Sequence, residues 1–236
     1  MYKIIRNLKY QVWRAVHLIG LDIYPIDPRN SVQSYLAHVF KAASIDCVWD
    51  IGSNVGQYAY MLRNIGFRGD IISFEPIPVA WEALRRNAAS DHKWTVHDRC
   101  AVGLNEGEAV LNVTSDSVSS SLLSPNDETS IVSTVSVEVK RLDSIMGEIS
   151  LSSCSFLKLD CQGGEYDIIL SAGSKIRQFL YVQMEASIYP LYKGERTFVD
   201  LTKLMDAVGF DIVFVYPGIT DSQDRMVQAE LIFKRR

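Results

Sequence analysis

The sequence predicts an α/β domain built on a doubly wound, mostly parallel sheet. Three observations carry this expectation. Apolar runs of strand length alternate with stretches of helical period between residues 46 and 208. A sharp turn through Gly52 and Gly56 separates the first strand of that series from its first helix. Two strand-like runs close the chain with no helix between them, which sets one antiparallel strand at an edge of the sheet.

In chain order, residues 46–51 form the first strand, and residues 55–66 a helix with Val55, Ala59 and Leu62 on one face. "DIISFEP" (70–76) is a second strand, stopped by Pro76. Pro78 suits the first turn of a helix whose inner face is Val79, Ala80, Ala83, Leu84 and Ala88. "WTVHDRCAVG" (94–103) is a third strand running into a turn. "EAVLNVTS" (108–115) and "VSTVSVEVKRLD" (132–143) alternate as strands around a Ser/Asp-rich loop, a wide hairpin. "CSFLKLD" (154–160) is a buried strand, "GEYDIILSAG" (164–173) a helix and "FLYVQMEA" (179–186) a strand. Residues 197–208 form a helix with Phe198, Leu201, Leu204 and Val208 inward and Gly209 as its cap. "FDIVFVYPG" (210–218) and "VQAELIFKR" (227–235) are the closing pair. With the hairpin set aside as an insertion, seven strands remain. The expectation is a mostly parallel seven-stranded sheet with one antiparallel edge strand and helices on both faces.

The chain has 236 residues, 47% hydrophobic and 22% charged, with a net charge of −4. This is ordinary globular usage without the basic balance of a nucleic-acid protein, so no nucleic-acid partner is expected. Cys47, Cys100, Cys154 and Cys161 form no Cys-x-x-Cys pair, and the four histidines show no zinc-ligand spacing. Buried free thiols, a reducing cytoplasmic setting and no metal are expected. Residues 1–29 read as a helical segment ahead of a domain at 30–236, with the boundary near Pro25 to Pro28. Lys3, Arg6, Lys9 and Arg14 interrupt the apolar runs there, so neither a secretory signal nor a membrane span is predicted. Ile4, Leu8, Val12, Ala15, Val16 and Ile19 share one helical face. Packing on the domain is the preferred expectation for that face, and weak contact with a membrane surface the alternative.

The stretch "DIGSNVG" (50–56) occupies a βα turn, where open parallel sheets place ligands. Its spacing is Gly-x-x-x-Gly, without the third glycine of the dinucleotide fingerprint. The two glycines let a backbone pass close to a ligand. A pyrophosphate needs bare amides at a helix N-terminus. Asp50 adds negative charge there, which disfavours a diphosphate and favours an ammonium or sulfonium group. Glu75 ends the second strand, 23 residues after Gly52. An acid roughly 20 residues on takes ribose hydroxyls in nucleotide-binding βαβ units. A ribose, a positive group and no pyrophosphate together describe S-adenosylmethionine. Either acid alone is equally well explained as a turn or strand-end carboxylate; the pair points to a cofactor.

These segments resemble the FkbM family of S-adenosylmethionine-dependent methyltransferases. The resemblance is carried in order by "VWDIGSNVGQYA", "SFEPIP", "CAVG" with "SSSLL", "VKRLDSI", "FLKLDCQGGEYDIILSAG", "VQMEAS" with "PLYKG", and "VQAELIF". It runs from about residue 30 to the end. It implies a Rossmann-like class I methyltransferase fold and methyl transfer, commonly to a hydroxyl oxygen of a sugar, glycan or secondary metabolite. It implies that Asp50, Gly52, Asn54 and Gly56, with Ser53 in the same loop, border the methionine part. Glu75 would take the ribose, and Pro76, Cys100 and Ala101 would border the adenine. Asp160 would face cofactor and substrate together. Glu230 stands where the family often has Asp, and Gly164 is a permitted small-residue variant.

An alcohol acceptor must lose its proton, which calls for a base within hydrogen-bond reach. Asp160 is the first candidate and Glu185 the second, each at the end of a strand. Lys158 shares a strand face with Asp160 and could orient it or hold the cofactor region. Glu165, in the first turn of a helix, is explained equally well as a favourable N-terminal acid. Tyr189 and Tyr192 border the acceptor side or simply pack a loop. Residues 117–124 are expected to form a lid. Asp160 and Glu185 could alternatively hold Mg²⁺, which needs only one or two carboxylates. A nicotinamide-dependent oxidoreductase and a non-catalytic cofactor-binding protein are the competing function classes.

Overall fold

The computed structural model describes residues 2–20, 27–149, 151–152 and 154–236. The helices are α1 (Tyr2–His17), α2 (Val32–Ala42), α3 (Gln57–Asn64), α4 (Pro78–Ala88), α5 (Leu142–Glu148), α6 (Glu165–Ala172) and α7 (Phe198–Ala207). The strands are β1 (Cys47–Ile51), β2 (Asp70–Phe74), β3 (Trp94–Val96), β4 (Ala101–Val102), β5 (Gly107–Thr114), β6 (Ile131–Lys140), β7 (Ser155–Leu159), β8 (Tyr181–Ser187), β9 (Phe210–Pro217) and β10 (Gln228–Arg235).

Seven strands form the central sheet in the order β3-β2-β1-β7-β8-β10-β9. Strands β3 through β8 of that order pair in parallel. The order reverses between β1 and β7, and this switch point is where a crevice opens beyond the strand ends. The antiparallel strand is β10, and it pairs with both β8 and β9. It therefore lies one place in from the edge, which corrects the expected edge position. The reason is burial: Leu231, Ile232 and Phe233 are consecutive apolar residues, all buried, and only an interior strand covers both faces. β9 carries the edge, with Ile212, Val213 and Val215 exposed.

One sheet face is covered by α2, α3 and α4, which bring Phe40, Leu62 and Leu84 onto Val48, Ile71 and Phe156. The other is covered by α5, α6 and α7, which bring Ile145, Ile168 and Met205 onto Trp49, Leu157 and Met184. The hairpin β5–β6 is joined by β4, giving a three-stranded sheet over a small core of Ile77, Ala101, Leu111 and Val137. The single run expected at 94–103 is thus split. The chain leaves the central sheet after Val96, bends, and β4 then runs parallel to β6. The strand expected at 132–143 stops at Lys140, because Leu142 and Ile145 turn inward on α5 instead.

Ser31 caps α2 through a hydrogen bond from the Ser34 amide, a helix the sequence reading does not predict. α2 explains why α1 is not needed as a cover. Phe40 of α2 meets Phe156 edge-on at 4.9 Å, in the place an amphipathic helix would fill. On α1 and just beyond it, Val12 and Ile19 of that face are exposed, so the packing expected for them is not found there. The side chains of Ile4 and Leu8, and the boundary at Pro25, lie outside the described residues. No helix of the described residues is long and apolar enough to cross a membrane.

Candidate active site

The glycine turn leaves β1 at Ile51 and enters α3 at Gln57. Its backbone passes through three left-handed residues, Gly52 (φ 80°), Asn54 (φ 46°) and Gly56 (φ 98°). A Cβ on Gly52 would lie 1.9 Å from the Asp160 carbonyl oxygen, and one on Gly56 2.5 Å from the Trp94 ring. Both glycines therefore let the protein pack against itself. Gly52 also lines the cleft whereas Gly56 does not, so the expectation that both clear space for a ligand is corrected for Gly56. Every amide of the turn is engaged. Gly52 and Ser53 both donate to the Phe74 carbonyl at 3.0 Å, and Gly56 donates to the Ser53 carbonyl at 2.8 Å. Asn54 donates to Glu75 Oε2 at 2.8 Å, and Val55 to the Asn54 side-chain oxygen at 2.8 Å. Residues 52–56 offer no free N–H group to a phosphate, which leaves only the first amides of α3. The Ser53 hydroxyl is also internal, donating to the Asp50 carbonyl at 2.6 Å.

Asp50 is fully buried and does not line the cleft. The register pairs it with Lys158 across β1 and β7, and their charged groups lie 3.3 Å apart. The same ammonium lies 3.2 Å from Asp160 Oδ2. The expectation that Asp50 meets a cationic ligand is thus corrected: the chain's own lysine takes that place. Burial pushes the Asp50 carboxyl up and Lys158 opposes it. Burial alone would lower the Lys158 pKa, but Asp160 and Asp50 outweigh it and keep the ammonium charged. Asp160, with a side chain 40% exposed against 9% for Lys158 and 0% for Asp50, is the member of the trio presented to the cleft.

Glu75 directly follows β2 and faces the glycine turn at Asn54. Its oxygens each accept one backbone amide at 2.8 Å, Oε2 from Asn54 and Oε1 from Ile77. Each oxygen keeps a second lone pair for a hydroxyl. Burial pushes its carboxyl up to about 7, against the two amides. It borders a cleft of about 450 Å³, within the range of small-molecule sites. Pro76, Ile77, Cys100, Ala101, Val102 and Leu111 make the apolar wall next to it. Burial pushes the Cys100 thiol up to about 11, so that wall is uncharged.

The other end of the cleft is polar. Asp160 and Glu185 share the Gln162 amide, at 2.7 Å and 3.4 Å. Gln228 donates to Glu185 Oε2 at 2.9 Å. Lys158 and Asp160 line the cleft, while Glu185 sits one strand further out. Ser117, Val118, Ser121 and Leu122 roof it. Three contacts fasten that roof: Asn54 to the Ser117 hydroxyl at 3.0 Å, the Ser121 hydroxyl to the Gln162 carbonyl at 2.7 Å, and the Tyr192 hydroxyl to the Ser119 carbonyl at 2.8 Å. Tyr192 is buried in this role, whereas Tyr189 is exposed with Arg225 5.2 Å over its ring. Glu165 accepts the Cys161 and Gly163 amides at 2.7 Å and 3.0 Å, so it closes the turn ahead of α6.

Sequence reasoning passed over Tyr58, Gln183 and Gln162, and gave Glu230 no role. The Tyr58 hydroxyl donates to Gln183 at 2.5 Å, Gln183 donates to Glu230 at 2.8 Å, and all three line the cleft. Burial pushes the Glu230 carboxyl up to about 7, with Gln183 opposing. A signal was present. Gln183, Glu185 and Ser187, and likewise Gln228 and Glu230, place polar residues at period two on apolar strands, and so on one face.

The chain matches the methyltransferase FkbM domain over residues 50–212. That span is shorter at both ends than the motif resemblance and leaves out "VQAELIF". The chain is 24% identical over 184 residues to the 2-O-methyltransferase NoeI of Sinorhizobium fredii, covering 72% of this chain and 74% of that protein. Its fold is similar to that of a Thermobifida fusca protein assigned as a methyltransferase, with a TM-score of 0.53, 12% identity and coverage of 89% and 80%. It is similar too to a Klebsiella pneumoniae protein assigned as an O-methyltransferase, with a TM-score of 0.51, 9% identity and coverage of 96% and 88%. The matched span holds the glycine turn, Glu75, the Asp50–Lys158–Asp160 trio and Glu185, and the chain belongs to the FkbM methyltransferase family.

Proposed function

We propose that the chain moves a methyl group from S-adenosylmethionine to a hydroxyl oxygen on a sugar, glycan or secondary metabolite. One observation carries the cofactor: all five amides of residues 52–56 are engaged within the protein, while a buried acid at the second strand end keeps lone pairs for a ribose. That combination suits an adenosine without a pyrophosphate and argues against a nicotinamide nucleotide. When bound, the cofactor supplies an electrophilic methyl on a sulfonium. The exposed carboxylate of Asp160 favours a positive group in the cleft. Glu75 accepts ribose hydroxyls, and the Cys100–Ala101 wall takes the apolar face of the base. The roof of residues 117–122 excludes water, so that the acceptor oxygen and not the solvent meets the methyl. The relative's name, a 2-O-methyltransferase, supports oxygen as the accepting atom and is compatible with a sugar.

Calorimetry with S-adenosylmethionine and with a nicotinamide dinucleotide tests the cofactor. Binding of the former alone is expected, and binding of the latter alone overturns the reading. Label transfer from methyl-labelled S-adenosylmethionine into an extract of the source cell, followed by identification of the product, tests the acceptor.

A further inference from the structure

Resting on the oxygen methyl transfer proposed above, we propose that Glu185 takes the acceptor's proton, and that Gln162 and Gln228 are the residues that position it. Asp160 and Glu230 line the cleft, and Glu185 stands one strand beyond Asp160, joined to it through Gln162; the three differ in what their oxygens already hold. Asp160 has both oxygens engaged, Oδ2 by Lys158 at 3.2 Å and Oδ1 by Gln162 at 2.7 Å. Neither of its oxygens is left without a partner. Glu230 accepts Gln183, which itself accepts Tyr58 from α3, so it belongs to a tie between sheet and helix.

Glu185 is arranged differently. Both amides, Gln162 at 3.4 Å and Gln228 at 2.9 Å, donate to the same oxygen, Oε2. Oε1 has no hydrogen bond among the described residues. One oxygen is held from two sides and the other stands open, on a side chain that is part-exposed at the carboxyl end of β8. A base must be fixed yet unblocked, and this arrangement meets both conditions. Burial, with Asp160 adding to it, pushes the Glu185 carboxyl up, which makes it a stronger base than a free carboxylate. Gln162 also accepts the Tyr192 hydroxyl at 3.0 Å and, through its carbonyl, the Ser121 hydroxyl at 2.7 Å. The residue that positions the base is thus fastened to the roof, and its left-handed backbone (φ 50°) is held by those contacts.

The step balances. The hydroxyl oxygen forms the C–O bond as the C–S bond breaks, and the C–S electron pair remains on sulfur. The hydroxyl proton passes to Glu185 Oε1 and then to water. The positive charge lost at sulfur is matched by the proton gained at Glu185.

The test uses the full chain, methyl-labelled S-adenosylmethionine and an extract of the source cell as the acceptor. Wild type, Glu185→Gln, Asp160→Asn and Gln228→Ala are compared, with cofactor affinity of each measured by calorimetry. Glu185→Gln is expected to bind the cofactor within about threefold of wild type, yet to slow transfer by about 100-fold or more and to flatten the pH profile. Gln228→Ala is expected to lower kcat with the cofactor KM unchanged. It also moves the rising limb of the profile to higher pH, since it removes a hydrogen bond that favours the charged carboxylate. Asp160→Asn is expected to weaken the cofactor. Glu185→Gln with transfer within about fivefold of wild type and an unmoved pH profile overturns the assignment. So does Glu185→Gln losing cofactor affinity along with transfer, which marks a structural role. Wild type that binds no S-adenosylmethionine, or labels nothing, overturns the oxygen methyl transfer itself and the assignment with it.

Discussion

Across the N-terminal half of one sheet face, Ile71, Val48, Phe156 and Tyr181 stand side by side on β2, β1, β7 and β8. Two residues further along the same strands, the neighbours are Ser73, Asp50, Lys158 and Gln183. The first row is buried beneath α2 and α3 and belongs to the apolar core. The second holds a buried ion pair and reaches the cleft through Lys158 and Gln183. At roughly 3.3 Å of rise per residue, scaffold and site are separated by about 7 Å. Position along a strand, more than distance from the molecular centre, therefore tells which property a substitution will change.

Substitution in the apolar row should give the largest effect. Phe156→Ala is expected to cost about 3–5 kcal/mol of stability in urea unfolding, because it empties the space between Phe40 and Tyr181. Cofactor affinity of the folded fraction should be unchanged; a matching loss of affinity would erase the division between the rows. One row on, Lys158→Met removes the cation and leaves the Asp50 carboxyl buried without its partner. A cost of about 3 kcal/mol is expected, with more than half recovered by adding Asp50→Asn. Strict additivity of the two changes, measured in the same unfolding assay, would show that the pair is not coupled.

Beyond the rows, Glu75→Ala is expected to weaken S-adenosylmethionine by about 1–3 kcal/mol in calorimetry on the folded protein. It should also reduce stability, since the Asn54 and Ile77 amides lose their acceptor. Unchanged affinity would remove Glu75 from the ribose.

The last test is a dependence on pH. Burial raises Glu75, Glu165 and Glu230 from 4.5 to about 7 in the folded chain. Between those values the folded state holds more protons than the unfolded state. Their contribution to stability is therefore complete below about 4.5 and is lost as pH rises through about 7. Thermal unfolding of the free protein should show a falling melting temperature across that window. Cofactor affinity should move the opposite way, because the ribose contact prefers the ionised Glu75. Melting temperatures that rise between pH 5 and pH 7 would show that these acids are not held neutral.

Much of the fold was legible because its signals are local. Alternation of strand and helix, Pro78 at the start of α4 and the glycine turn each depend on a few neighbouring residues. Glu75 was legible too, since a βαβ unit carries its spacing along the chain. The identity of Asp50's partner was not. Lys158 lies 108 residues away, and only the pairing of β1 with β7 makes the two neighbours. What Gly52 packs against was not legible for the same reason: the atom is the Asp160 carbonyl, just past the end of that same distant strand. Nor does the sequence show that β10 enters between β8 and β9, although its three consecutive apolar residues mark it as an interior strand.

By itself, then, the sequence determined the α/β alternation, the place of the turn, the acid at the second strand end and the family to which these motifs belong. Tertiary structure alone decided which charges meet. It set Lys158 between Asp50 and Asp160, fastened the 117–122 roof through Gln162 and Tyr192, and left one oxygen of Glu185 open. The physical reason is that periodicity and turn chemistry act over a few residues. Charge pairing and hydrogen bonding act over a few ångströms, and strand order, which no short stretch of sequence encodes, decides which residues come within them.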